Sequence, residues 1–328
     1  MRRPIFFAVS VIGLTIAALF PFRAFAGQAA DSENRVALAE TSYGYQVTID
    51  GKAFAGYHCD FNGTPIIWPI IGPSDKPMTR AFPMSDTVLG EKQDHPHHRS
   101  LWFTHDEING NRHWSRDTIA HQEFLKAESD GRAATIVTKN HWLDQKSNET
   151  VCSDIRTVTF GAMGDLRYLD FDLVLTAEQD EVTIADTKEG TFGIRVPTVM
   201  DVDAKKGGTI VNAQGDKDDK AWGKRSDWVD YSGPLNTGGE IGGITIFNHP
   251  ASFRYPTWWH VRTYGLFAAN PFGIKDFEPS LKQDGTVVLK KGESLAFYYR
   301  VILHAGDAKS LDLGKLYKDY AATTKSPD

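Results

Sequence analysis

Short stretches in which apolar and polar residues alternate run along most of the chain. The segment 43–49 shows the pattern, with Tyr43, Tyr45, Val47 and Ile49 at every second position. Such alternation is typical of β-strands, because successive side chains of a strand point to opposite faces. The same short, β-branched pattern recurs at 135–137, 153–160, 167–175, 181–184, 241–247, 264–268, 286–289 and 295–303. The chain is therefore predicted to be rich in strands.

Turn residues separate these strands, and helical periodicity is scarce. Asp50-Gly51 and Asp284-Gly285 are typical hairpin turns. Only 308–322 repeats like a helix, and we expect it to cap the fold. Strands do not alternate with helices, which argues against nucleotide-binding α/β folds. We predict an all-β fold, a large antiparallel β-sandwich with little helix, as a single domain over 27–328. The polar stretch 201–219 is expected to be a solvated loop within it.

The first 26 residues have the organisation of a signal peptide. Arg2 and Arg3 precede an apolar run at 5–20, and Ala24-Phe25-Ala26 supplies a small-x-small cleavage pattern. The apolar run is shorter than the roughly 20 residues of a membrane-spanning helix. We therefore expect an exported protein, periplasmic or secreted, with no stable membrane insertion after cleavage.

Charge and cysteine content limit the classes of partner and of metal site that the chain can have. Lys and Arg total 36 against 42 Asp and Glu, a net charge of −6. No basic stripe is present to neutralise phosphates, so nucleic acid is not an expected partner. Cys59 and Cys152 could form one disulfide at most, and two isolated thiols do not make a metal site.

Histidines are concentrated in one region. Six of the eleven lie between positions 95 and 121, namely His95, His97, His98, His105, His113 and His121. In an extended backbone, His95 and His97 would point to one face and His98 to the other. Imidazoles on one face could bind a metal, or hold the hydroxyls of a substrate and transfer its protons. A hydrogen-bonded structural cluster is the third interpretation.

Three further segments carry candidate chemistry. His105 and Asp106 lie near Trp102 and Trp114, a mixture of polar and aromatic groups that suits a sugar. Lys188-Glu189-Gly190 could present a base and its charge partner at a cleft, or could be a solvated turn.

In the third segment, His260, Arg262 and Tyr264 would share one strand face, and Asn270 follows. Burying such a polar row is costly without a ligand or mutual pairing.

Several of these motifs together resemble a known bacterial family. They are Asp94-His95-Pro96-His97-His98-Arg99-Ser100-Leu101-Trp102-Phe103, Lys188-Glu189-Gly190, Arg195-Val196, Trp222-Gly223 with Trp228-Val229-Asp230-Tyr231-Ser232-Gly233, Trp259-His260-Val261-Arg262 and Asn270-Pro271-Phe272-Gly273. The family is labelled "methane oxygenase PmoA" and is otherwise described as a domain of unknown function. The label implies a copper or iron oxygenase. The segment 291–304 is more weakly similar to the last strands of galactose-mutarotase-like sandwiches, which implies a mutarotase-like supersandwich.

We expect an exported carbohydrate-active enzyme, a hydrolase, lyase or epimerase, that moves protons on a sugar or another polyhydroxylated small molecule. The candidate catalytic residues are His95, His97, Glu189 and His260. The candidate substrate-binding residues are His98, Arg99, His105, Asp106, Lys188, Arg262, Tyr264 and Asn270. No metal or cofactor is expected, because the guanidinium of Arg99 among the imidazoles repels a cation. A non-catalytic carbohydrate-binding protein and a copper or iron oxygenase are the alternatives.

Overall fold

Two antiparallel β-sheets dominate the computed structural model, which describes residues 34–116, 118–236 and 238–326. The signal segment expected at 1–26 lies outside the described residues. In chain order the strands are β1 Val36–Thr41, β2 Gly44–Ile49, β3 Lys52–His58, β4 Ile66–Ile70, β5 Leu101–Ile108, β6 Asn111–Arg112, β7 Ile119–Ser129, β8 Ala133–Leu143, β9 Thr150–Met163, β10 Leu166–Ala177, β11 Glu181–Ile184, β12 Gly190–Arg195, β13 Thr209–Asn212, β14 Trp228–Pro234, β15 Ile241–Asn248, β16 Trp258–Val261, β17 Leu266–Asn270, β18 Val287–Lys290 and β19 Ser294–Ala305.

The first sheet has the strand order β1-β2-β3-β4-β5-β12-β17-β16, with β6 and β11 beside β5, and β18 paired with β11. The second sheet has the order β13-β14-β15-β19-β10-β9-β8-β7. Every strand pairing in both sheets is antiparallel. This confirms the predicted large antiparallel β-sandwich.

The main apolar core lies between the two sheets. Alternate residues of β10 face it, from Leu169 through Phe171 and Leu173 to Leu175, while the residues between them are only half-buried. Phe103 of β5 meets Phe171 at a ring-centroid distance of 6.0 Å, so the sheets are in direct contact. Full burial of one such side chain stabilises the fold by roughly 1.5–3 kcal/mol. The period-two pattern of the sequence is therefore the pattern of this core.

Helices are short and peripheral in the described residues. They are α1 Ile274–Phe277 and α2 Leu313–Ala321, with 3-10 turns at Val202–Ala204, Asp218–Ala221, Pro279–Leu281 and Ala308–Ser310. The Asp312 side chain caps α2 by accepting from the Lys315 amide at 2.9 Å. Tyr317 and Tyr320 of this helix pack against Phe247 in the second sheet, as expected of a capping helix. None of the described helices is long and apolar enough to cross a membrane.

Some local predictions were wrong. Asp50-Gly51 does join β2 to β3, with both residues at positive φ (51° and 76°), but Asp284-Gly285 joins no pair of bonded strands. Gly285 instead donates its amide to the buried Asp186 carboxylate at 2.6 Å. The segment 201–219 is not all loop, because β13 lies within it and pairs with β14. Cys59 and Cys152 are free thiols.

Candidate functional site

The candidate site lies on the outer face of the first sheet, which points away from the second sheet. Trp102, Gly193, Ala268 and His260 are cross-strand partners and form one row over β5, β12, β17 and β16. Gly193 is required there, because a Cβ atom would lie 2.8 Å from Cζ2 of Trp102. The two small residues form a floor between the indole and the imidazole.

β12 and the residue before it supply two charged side chains to the floor. Arg195 and Gly193 lie two residues apart on the strand and share its outer face. Glu189 precedes the strand, and its carboxylate is close enough to His95 for the two charges to interact. The Glu189 carbonyl accepts from the Asp106 amide at 2.9 Å, which keeps the segment in register with β5. Arg195 and Glu189 therefore lie on opposite sides of the floor.

The residues 95–98 form a tight turn, so the expectation of an extended backbone is wrong. The His98 amide donates to the His95 carbonyl at 2.9 Å, and His95 has a φ of 43°. Pro96 suits the turn because its ring presets φ. The His95 ring stacks between His98 (4.8 Å) and Tyr264 (5.3 Å), and the His97 ring meets the edge of His98 at 4.5 Å. His98 therefore joins the other two imidazoles and does not face away from them.

Two buried arginines hold this turn. Arg80 and Arg195, 0% and 1% exposed, both donate to Oδ1 of Asp94, at 2.5 and 2.8 Å. Arg80 also donates to the His95 carbonyl at 3.0 Å, and Arg195 to Nδ1 of His98 at 2.9 Å. Asp94, Arg80 and Arg195 are not among the site residues predicted from the sequence. The only indication of Arg80 in the sequence is a charged residue placed between Thr79 and Ala81.

Hydrogen bonds select the tautomers of two imidazoles. Nδ1 of His98 accepts from the Arg195 guanidinium, so its Nε2 carries the proton. Nδ1 of His260 faces the Lys188 carbonyl at 2.7 Å and must donate, which leaves Nε2 as an acceptor. One ring therefore offers a donor and the other an acceptor.

Burial and neighbouring charge keep the imidazoles of His97, His98 and His260 neutral. Burial, followed by the charges of His95 and Arg99, lowers the pKa of His97 to about 4. Burial also lowers the pKa of His260 to about 4, and that of His98 well below its usual value. No described residue hydrogen-bonds the His97 ring, so this neutral imidazole has both nitrogens available.

The pKa of the Glu189 carboxylate is raised, whereas the pKa values of the three imidazoles are lowered. Burial, and then the charges of Asp106 and Asp276, raise its pKa against the opposing effect of Lys188. Its carboxylate accepts no hydrogen bond from the described part of the chain. A half-buried carboxylate with a raised pKa is a stronger base than an ordinary glutamate.

Two cations of the site form no salt bridge with a carboxylate within the described ranges. The Arg262 guanidinium lies 5.6 Å from the ring centroid of Tyr264 and 5.8 Å from that of Trp222. Lys188 likewise forms no ion pair. The prediction that Arg262 and Tyr264 share a strand with His260 was wrong, because β16 ends at Val261 and both belong to the turn before β17.

The remaining predicted residues are tied into protein hydrogen bonds. His105 is buried on the core side, with Nε2 2.9 Å from the Ala185 carbonyl. Buried Asn270 donates to the Thr187 carbonyl at 2.9 Å and accepts from the Phe272 amide at 2.9 Å. Two more contacts complete this set: Asp106 accepts a two-pronged bond from Arg112 at 2.9 and 2.8 Å, and Arg99 donates to the Phe61 carbonyl at 3.3 Å.

The structure thus gathers eight of the twelve predicted residues around one floor: His95, His97, His98, Lys188, Glu189, His260, Arg262 and Tyr264. His113 and His121 lie elsewhere, His113 beside Trp142 and His121 on β7 of the second sheet. The six histidines between positions 95 and 121 therefore do not form a single cluster. Trp222, which contacts Arg262 and His260, was missed as a site residue although its motif contributed to the family resemblance.

The arrangement does not fit a zinc or copper site. No group of three or more His, Cys, Asp or Glu side chains in the described ranges is placed to share an ion. The rings of His95, His97 and His98 pack on one another, and a guanidinium occupies Nδ1 of His98. A metal needs three or four donors directed at one point.

A sequence model described as "Family of unknown function (DUF6807)" matches residues 44–318. The chain belongs to this family. The matching description carries no methane-oxygenase label. No curated protein matches the chain.

Solved structures show distant similarity to this DUF6807 member. The GH36 alpha-galactosidase AgaA of Geobacillus stearothermophilus is 11% identical over 83% of this chain and 41% of its own, with a TM-score of 0.37. The galactosidase domain of alpha-galactosidase-sucrose kinase, AgaSK, is 9% identical over 84% and 41%, with a TM-score of 0.39. A galactose mutarotase related enzyme from Lactobacillus acidophilus is 14% identical over 84% and 97%, with a TM-score of 0.27. The DUF6807 chain spans about two fifths of the length of the two galactosidase chains.

Proposed function

We propose that this DUF6807 protein binds an acidic carbohydrate on the outer face of its first sheet and catalyses proton transfer on it. The carrying observation is that no described residue hydrogen-bonds the side chains of His97 and Glu189, and that His95 is close to both. The His95 ring centroid lies 5.7 Å from that of His97, and the charge of His95 acts on Glu189. Two cations of the same site, Arg262 and Lys188, form no ion pair with a described residue. Hydrolysis, elimination and epimerisation all require such a proton transfer.

The charge balance favours an anionic substrate. The site carries four permanent cations, Arg80, Arg195, Arg262 and Lys188. Against them stand three carboxylates, Asp94, Glu189 and Asp276, the last of which accepts from the Lys188 amide at 3.2 Å. Asp94 is engaged by the two buried arginines, which leaves Arg262 and Lys188 for the ligand. A guanidinium held between two aromatic rings is oriented in advance and binds a carboxylate through paired hydrogen bonds. The acidic group of the substrate is therefore assigned to Arg262 and Lys188.

The uncharged groups suit the hydroxyls of a sugar. Nε2–H of His98 donates, Nε2 of His260 accepts, and neutral His97 can do either. In this proposal Glu189 takes the proton as general base. His97 and His95 pass it on or hold the reacting hydroxyl. His260 orients the substrate from the opposite side of the floor.

We further propose that the protein meets this substrate outside the cytoplasm. The support is the organisation of residues 1–26 into a basic start, an apolar run and a small-x-small site. Amino-terminal sequencing of the protein from its producing cells tests this part. A mature chain starting near Gly27 in the periplasm or medium is expected, and an intact Met1 terminus in the cytoplasm would contradict it.

The activity is tested on matched panels of uronate-containing and neutral oligosaccharides, with products detected by mass spectrometry. Wild type is expected to convert an acidic member. Glu189→Gln should bind that sugar without converting it, and Arg262→Met should lose affinity for it. His121→Gln, on the second sheet, is the matched control and should behave as wild type. Binding without any product in wild type would identify a carbohydrate-binding protein. Turnover that depends on added copper or iron and on O₂ would favour the oxygenase.

A further inference from the structure

A cavity of about 640 Å³ lies beside the segment 85–91 and contains none of the candidate site residues in its wall. Its apolar lining includes Trp68, Pro77, Val88, Leu89, Val199 and Leu235. Cavities of roughly 300–1,000 Å³ with mainly apolar walls and a few polar groups are the usual form of small-molecule sites. The size and lining of this cavity therefore suit a ligand with an apolar body.

Most polar groups of the wall are already satisfied by the protein. Glu91 accepts from the amides of Ala81 and Phe82 at 2.9 and 3.2 Å, and the Thr198 hydroxyl accepts from the Lys92 amide at 2.9 Å. Lys206 differs from them, because its exposed ammonium forms no ion pair with any described residue. The cavity therefore combines an apolar wall with one available positive charge.

The rim of the cavity exposes apolar surface. Leu89 is 98% exposed and Val88 49%. An exposed apolar rim around a concave surface is typical of a binding site, because a bound ligand covers it. Both residues lie in the wall, so the same ligand would cover them.

We propose that this cavity binds a small amphipathic anion, with an aromatic or alkyl body against Leu89, Val199 and Trp68, and a carboxylate, sulfonate or sulfate beside Lys206. Charge complementarity at Lys206 selects the anion, and the apolar wall selects its body. This site is separate from the proposed carbohydrate site and does not depend on it.

Two fluorescent probes with similar aromatic bodies test the proposal: the anion 1-anilinonaphthalene-8-sulfonate and the neutral N-phenyl-1-naphthylamine. Titration in low-salt buffer should show one saturable site for each. Leu89→Ser should weaken both probes about fivefold or more, because the lost contact is apolar. Lys206→Met should weaken only the sulfonate, by about two- to fivefold. Leu125→Ser and Lys146→Met, at exposed positions elsewhere, are the controls.

Each variant changes an exposed side chain, so folding should be retained, and circular dichroism verifies it. Failure of the wild type to bind either probe at one saturable site would overturn the proposal. Equal losses in Leu89→Ser and Leu125→Ser would also overturn it. Unchanged sulfonate affinity in Lys206→Met would refute the anionic end of the ligand.

Discussion

Asp94→Asn should destabilise the protein, because Asp94 is the carboxylate that both buried arginines share. Arg80 and Arg195 are 0% and 1% exposed, and each donates to its Oδ1. Removing one partner of a fully buried ion pair costs about 3–5 kcal/mol, since the remaining charge stays buried without compensation. The Asp94 side chain is 37% exposed, so solvent screens part of the effect and about 2–3 kcal/mol is expected. The midpoint of thermal unfolding should fall by about 4–8 °C.

Urea unfolding followed by tryptophan fluorescence measures this loss, with Asp165→Asn as the control. Asp165 is exposed and has no ion pair or hydrogen bond among the described residues. Burial alone would raise the pKa of Asp94, but the charges and hydrogen bonds of Arg195 and Arg80 outweigh it and lower the pKa. A lowered carboxylate pKa stabilises the fold above the unfolded value of about 3.9 and loses that contribution as the pH falls further. The difference between wild type and Asp94→Asn should therefore shrink below about pH 4. A loss below 0.5 kcal/mol at pH 7, or equal losses in both variants, would refute this reasoning.

Three further predictions concern the floor and its titratable groups. Proton NMR should show His97 titrating near pH 4 in the free protein and at higher pH with an anionic sugar bound; a midpoint at or above 6.5 without ligand would contradict the burial argument. Gly193→Ala should lower the free energy of unfolding by about 1–3 kcal/mol and weaken sugar binding, because the new Cβ atom displaces Trp102. Gly314→Ala in α2, the control, should be neutral or slightly stabilising. Equal unfolding midpoints for the two variants would contradict this prediction. If Glu189 is the base, kcat/KM should rise as pH increases through its raised pKa and level off above it; an acid limb at the pH of an ordinary glutamate would show that burial does not control this group.

The sequence predicted the fold well because each strand shows a local pattern of alternating apolar and polar residues. The alternation at 167–175 and 295–303 corresponds to β10 and β19, whose core-facing residues follow the period of two. Pairing order is not local, and nothing in the sequence showed that β5, β12, β17 and β16 are neighbours. The hairpin predicted at Asp50-Gly51 is present, whereas the one predicted at Asp284-Gly285 is not. There the Gly285 amide donates to the distant Asp186 carboxylate.

The site was partly predictable for the same reason. Histidines, Lys188-Glu189 and His260 stand out as polar residues next to buried strands, but their meeting depends on strand order. Period two does not tell which face is the core, and His105 belongs to the core side. Arg80 lies in a segment without regular structure, so its role at Asp94 appears only in three dimensions.

A crystal structure of Glu189→Gln with a bound acidic oligosaccharide tests the central claim most directly, because it locates the substrate without turnover. We predict that the sugar lies over Gly193 and Ala268, with its carboxylate on Arg262 and Lys188 and a ring hydroxyl or C–H group within reach of His97 and position 189. A sugar bound elsewhere, or one whose carboxylate points away from Arg262 toward solvent, would contradict the proposed site and its chemistry.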